Sequence, residues 1–228
     1  MNIQTIVTIA VLAVLGGLLV SIPLIQKIIN IRRTPTTWIS ALPDTGHVEV
    51  TGKVGQKSFP SPINKSPCVL WQVEVKEERK SNKGTSWHTV YKQGSGEPFD
   101  LSDDTGTVQV RPANADLILN DVSVSDRLDL DQKEKLEEFG IKLTGFLGSE
   151  KKFRVYESLV APEEQIYVVG GIQTRDGTKL FAAREGAPLF ISDRGESGLL
   201  GALYKKVGMN FLYAALAAVV LLIIIARF

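Results

Sequence analysis

Two apolar stretches at opposite ends of the chain constrain its fold more than anything between them. The run GMNFLYAALAAVVLLIIIARF, from Gly208 to Phe228, carries no charged side chain before Arg227. At about 1.5 Å per residue, residues 207–228 make a helix of roughly 33 Å, matched to the roughly 30 Å hydrocarbon layer of a bilayer. Ile3 to Ile25 is likewise uncharged and mostly apolar, long enough for roughly 34 Å of helix. Gly16, Gly17 and Pro23 are tolerable there because lipid does not compete for backbone hydrogen bonds. The expected architecture is therefore one extramembrane domain framed by two transmembrane helices.

The first stretch does not read as a cleaved signal peptide, which needs a basic leading region, a shorter apolar run and a small-residue cleavage site. Met1 and Asn2 precede it directly, and Lys27, Arg32 and Arg33 follow it. With Lys205 and Lys206 ahead of the second span, the basic residues flanking both spans sit on the domain side. The positive-inside rule then puts the domain in the cytoplasm and both termini outside, at the plasma membrane if the source is prokaryotic. The expected divisions are residues 1–31 (span and interfacial extension), 35–195 (the domain), 196–206 (juxtamembrane) and 207–228 (second span). Trp38 suits either the headgroup layer or packing on the domain.

About 180 residues remain outside the spans, enough for one core. They hold every acidic residue and every basic one except Arg227, so 25 of the 26 basic residues face 25 acidic ones. A formally neutral domain argues against nucleic acid, whose phosphates call for a basic patch. One cysteine, Cys68, excludes an internal disulfide and a thiolate zinc cluster within these residues.

From His47 the hydropathy period becomes two, the mark of half-buried strands. Val48 and Val50 alternate with Glu49 and Thr51, and Val69, Trp71, Val73 and Val75 share a face. Ser81-Asn82-Lys83-Gly84 turns that strand into TSWHTVYKQ, a predicted hairpin. The intervening FPSPINKSP has three prolines and reads as a surface loop. Asp103-Asp104-Thr105-Gly106 suits a tight turn before Val108 and Val110. Asp129 to Gly140 predicts the one soluble helix, with an Asp cap and a terminal Gly. FRVYESLV and QIYVVGGIQT return to strand, Arg175-Asp176-Gly177-Thr178 predicts a second hairpin, and KLFAA and PLFIS follow. Roughly eight strands result on this pattern reading, so the fold class is mainly β (α+β), barrel- or sandwich-like.

Catalytic chemistry is sparsely signalled. Cys68 is a candidate nucleophile with His47 or His88 as base, although a lone cysteine opening an apolar strand more often packs in a core. Two histidines without an acidic partner make no metal site, and no cofactor motif is present. Glu157 interrupts an apolar strand and reads as an exposed position. The spans hold no acidic or basic side chain at membrane depth, which argues against a pump or transporter.

The order of parts, an N-terminal span, Ser61-Pro62, Pro67-Cys68-Val69, EPFDLSDDTGTVQVRPANADL, FRVYESLVAPEEQIYVVGGI and a C-terminal span, resembles the GIDE family. This is the "beside a membrane" (BAM) module of the mitochondrial-anchored ubiquitin ligase and its prokaryotic relatives. Pro98 to Pro112 carries the resemblance most specifically. In the ligases, catalysis belongs to a cysteine-rich RING finger after the second span, so the resemblance implies an E3 ligase-like module without ligase activity of its own. The resulting expectation is a non-enzymatic, membrane-anchored binding or sensor module for a protein or small ligand. Its binding residues would be Phe59, Pro62 and Pro67 on the proline loop and Trp87 on the hairpin. The alternatives are a membrane-tethered hydrolase using Cys68 and a homo-oligomeric scaffold. The latter would assemble through Gly16-Gly17 and the small residues Ala214, Ala215, Ala217 and Ala218.

Overall fold

Helix α1 runs from Ile3–Arg33 and ends on Arg32 and Arg33. The computed structural model describes residues 3–81, 84–120, 122–123, 127–145, 148–175, 177–184 and 187–226. After a 3-10 turn at Ile39–Ala41 come β1 (Thr45–Val54), β2 (Phe59–Pro60), β3 (Pro67–Cys68), β4 (Leu70–Ser81), β5 (Gly84–Gly94), β6 (Phe99–Asp103) and β7 (Gly106–Arg111). β8 (Asp116–Ile118), β9 (Val122–Ser123), α2 (Leu130–Glu138), β10 (Phe153–Val160), β11 (Gln165–Arg175), β12 (Thr178–Ala182), β13 (Phe190–Ser192) and α3 (Gly195–Ala226) complete the order. The chain divides into two units, residues 1–35 with 196–228 and residues 36–195.

In the first unit, α1 and α3 are both long and apolar enough to cross a membrane, with mean hydropathies of 2.5 and 2.4. Their apolar side chains stand largely exposed, Leu12, Leu19 and Leu212 among them, a surface that water penalises and lipid does not. The two helices are antiparallel neighbours. A Cβ on Gly17 would lie 2.9 Å from the Phe211 ring and 3.5 Å from the Ala214 methyl, so this glycine permits the close approach. Asn210 Nδ2 donates to the buried Ser21 Oγ at 3.2 Å, and the Arg32 guanidinium lies over the Tyr204 ring. Gly17 and Ala214, named above as an oligomer seam, thus meet one another within the chain.

The second unit is β-rich, as the alternation predicts. β1 pairs antiparallel with β11 from Thr45↔Gln173 to Lys53↔Gln165, and its end pairs with β6 at Lys53↔Ser102. β6 pairs with β7, β7 runs parallel to β12, and β12 returns antiparallel to β11. These five strands close a ring. In chain order its sequence is first, second, third, fifth, fourth and back to first, with the third and fifth parallel, the topology of an OB-type barrel. β13 adds to β11, and β8 runs parallel to β13. Val50, Leu101, Val110, Val168, Ile172 and Phe181 fill the barrel and are fully buried.

The barrel's long connections build a second sheet, ordered β5-β4-β10-β9. β4 and β10 come from different connections and pair over eight residues, Phe153↔Glu77 to Val160↔Leu70. Its inner face, with Val73, Val75, Phe153 and Val155, packs with Leu136 of α2 and with Ile63. Asp129 caps α2 by accepting the Gln132 amide at 2.8 Å, while Gln132 Oε1 accepts the Asp129 amide at 3.3 Å. Gly140, at φ +78°, ends the helix.

The structure exceeds the roughly eight expected strands because β2, β3, β8 and β9 are two or three residues long, too short to show a period of two. The expected turn residues Asn82, Lys83 and Asp176 lie outside the described residues, as do Arg227 and Phe228. Glu49 and Glu157 are buried at 3% and 0% exposure, against the exposed positions that alternation and charge suggest. Each acquires hydrogen-bond donors from segments distant in sequence.

A Cβ on Gly52 would approach the Ser102 carbonyl oxygen to 2.6 Å, where β1 hands over from β11 to β6. Gly52→Ala is therefore expected to force this seam apart and destabilise the domain by about 1–3 kcal/mol, read as a lowered midpoint in equilibrium denaturation.

Candidate binding site: the proline loop and the Trp87 cleft

Backbone pairing alone closes only the base of the proline loop: Phe59 faces Cys68, Pro60 faces Pro67, and the Ser61 amide donates to the Ser66 carbonyl at 2.8 Å. The tip is held from below by Glu157 of β10. Its Oε1 accepts the Ile63 amide at 2.9 Å, and its Oε2 accepts the Asn64 amide at 3.1 Å and the Ser61 hydroxyl at 3.0 Å. Ser61 Oγ in turn accepts the Ser66 amide at 3.1 Å. A buried carboxylate needs such donors, and the loop's amides, which no strand satisfies, need such an acceptor. Ser61 and Ile63 are thereby drawn inside, while Pro67 remains exposed and Phe59 and Pro62 half-buried.

Cys68 is fully buried and directs Sγ at the Phe59 carbonyl, 3.4 Å away. Burial, with the Glu157 charge added, pushes its thiol pKa up to about 11. About one thiol in ten thousand is then ionised at neutral pH, and the thiolate is the nucleophilic form.

Trp87 of β5 faces Glu78 of β4 and is half-buried. The Arg154 guanidinium, from β10, lies 4.3 Å from its ring centroid, a cation–π contact spanning the sheet. Trp87 and Arg154 line a cleft of about 750 Å³ at the end where β10 begins. Leu128 and Leu143 give this cleft an apolar wall, and Lys133 and Lys152 border it. Of its residues, Trp87 is legible as a loop-adjacent aromatic. The run Lys151-Lys152-Phe153-Arg154 carries a charge signal, but only the pairing of β10 with β4 brings it to Trp87.

The histidines stand apart from one another chemically. His88 is exposed, with Nε2 3.0 Å from Ser86 Oγ. His47 Nε2 is buried without a hydrogen-bond partner among the described residues, and burial, then the Arg184 charge, lowers its pKa. Beside it on β1, Glu49 accepts the hydroxyls of Thr36 and Tyr167. Sequence reasoning passed over this cluster, whose one signal is an acidic residue between two valines. Asp103 accepts the amides of Thr105 and Gly106 at 2.7 and 3.0 Å and that of Ile39 at 2.8 Å, forming the expected turn.

A β-rich domain joined to two helices able to span a bilayer defines the class, a membrane-associated module. The GIDE family model, described as E3 ubiquitin ligase, matches residues 72–225, and the chain belongs to that family. The match takes in Trp87, Arg154 and Glu157 and begins after the proline loop. No curated protein and no solved structure gives a significant match.

Glu157→Gln replaces one acceptor oxygen by an amide donor facing a backbone N–H, so a loss of about 1–3 kcal/mol is expected in equilibrium unfolding. His47 supplies a pH dependence. Its folded pKa lies below the unfolded value, so its contribution to stability is complete well above the unfolded value of about 6.5 and is lost as pH falls below it. His47→Gln should flatten the decline in melting temperature on acidification from neutral pH, and an unchanged decline would contradict this account.

Proposed function

We propose that this chain is a membrane-anchored binding module, using the Trp87 cleft and the proline loop to take a protein or small ligand beside the bilayer. The observation that carries the reading is the cleft itself. It combines an apolar wall, an aromatic side chain held by a guanidinium and a volume of about 750 Å³, within the roughly 300–1,000 Å³ of small-molecule sites. The loop supports it, since a segment pinned by three hydrogen bonds to Glu157 loses little conformational entropy on binding.

The basic residues at the domain ends of both spans favour a cytoplasmic domain. The family description concerns ubiquitin ligation, but these residues hold one cysteine and so no thiolate zinc cluster of the RING kind. Ligase chemistry, where it occurs, would come from another segment or another protein. The module's role in such a system is to bind.

Crosslinking and affinity capture of the intact protein from its native membrane tests this. Trp87→Ala and Pro62→Ala together should deplete the captured species at least about fivefold, corresponding to roughly 1 kcal/mol of lost contact. An unchanged set, with the fold intact, would remove the cleft and loop from the function.

A further inference from the structure

We infer that the Trp87 cleft is a site for a small phosphate-bearing molecule with a ring or other apolar body, an assignment that rests on the binding-module reading and gives it a ligand class. The first ground is charge. Five basic side chains and two acidic ones line the cleft, in a domain that over residues 36–195 holds 20 basic and 24 acidic residues. This excess is therefore a local concentration. Like charges gathered in one concavity raise the local potential and attract a compact anion.

The second ground is how the cations are held. Lys133 of α2 reaches Glu150 at 2.8 Å and Lys151 reaches Glu77 at 3.2 Å, so the acidic partners orient these ammonium groups at the rim. Arg154 places its guanidinium carbon 4.3 Å from the centroid of the Trp87 ring. Lys152 is exposed, and its carbonyl accepts the Glu78 amide at 2.9 Å, which ties its backbone to β4. Ammonium groups act as point charges suited to phosphate oxygens, and a guanidinium adds a planar fork.

The third ground is shape. The cations do not form a stripe across the sheet but surround a cleft of about 750 Å³, which suits a small molecule rather than a polymer backbone. Leu128, Leu143 and Trp87 offer an apolar surface for the rest of the ligand. Such a phosphate comes either from a free nucleotide or from a lipid headgroup, and both present the same chemistry to the lysines.

The test is calorimetric titration of the purified full chain in nonionic detergent with three probes: ADP, a soluble glycerophosphoinositol phosphate and citrate. One of the two phosphate compounds should bind, more weakly as salt rises. ADP alone would identify a free nucleotide and the headgroup alone a lipid source. Lys133→Ala with Lys152→Ala should weaken binding at least about tenfold, equivalent to one charge-assisted hydrogen bond. Lys152→Ala alone, which leaves every ion pair above intact, should give a smaller loss in the same direction. Binding of neither phosphate compound at millimolar concentration, equal binding of citrate, or unchanged affinity in the folded double variant overturns the assignment. If that happens while capture still depends on Trp87 and Pro62, the binding-module reading survives and only the ligand class falls.

Discussion

A carboxylate enters an apolar interior only if donors meet it there, and Glu157 shows what that requirement organises. Its strand, β10, lies between β4 and β9, so the side chain projects from the middle of the second sheet. The donors come from Ser61, Ile63 and Asn64, more than ninety residues earlier. One ionisable group thus fixes the shape of the proline loop, places Ile63 in the second core and adds its charge to the burial that keeps Cys68 protonated.

The barrel explains why such distant segments meet. Five strands closing in OB order leave two long connections, one between the first and second barrel strands and one between the third and fourth. Each contributes strands to a common second sheet, joined where β4 pairs with β10. The proline loop belongs to the first connection and Glu157 to the second. Trp87 and Arg154 divide in the same way. The candidate site is therefore a product of two insertions meeting, and its parts stay together only while the barrel holds their ends in register.

For a family described by ubiquitin ligation, a binding module of the proposed kind would separate recognition from chemistry. Burial holds the Cys68 thiol in its protonated, poorly nucleophilic form, and the pinned proline loop and the basic, aromatic-lined cleft are the features on which the proposed binding rests. The two apolar helices, packed through Gly17 and a Ser21–Asn210 hydrogen bond, are long and apolar enough to cross a bilayer and would confine such binding to its surface.

The sequence by itself determined the parts whose physics is local. Uncharged apolar length specifies the spanning helices, alternation specifies β1, β4, β7 and β10, a short continuous apolar run specifies β11, and the Asp129 cap with Gly140 brackets α2. The three prolines made residues 59–67 legible as a loop, though they gave no sign that Ser61 and Ile63 within it are buried. Closure of the barrel, the pairing of β4 with β10, the burial of Glu49 and Glu157, and the gathering of Lys133, Lys152 and Arg154 around Trp87 were decided only by tertiary structure. Each depends on donors, acceptors or charges separated by tens of residues, and neither periodicity nor composition carries information about which distant partners will satisfy a buried polar group.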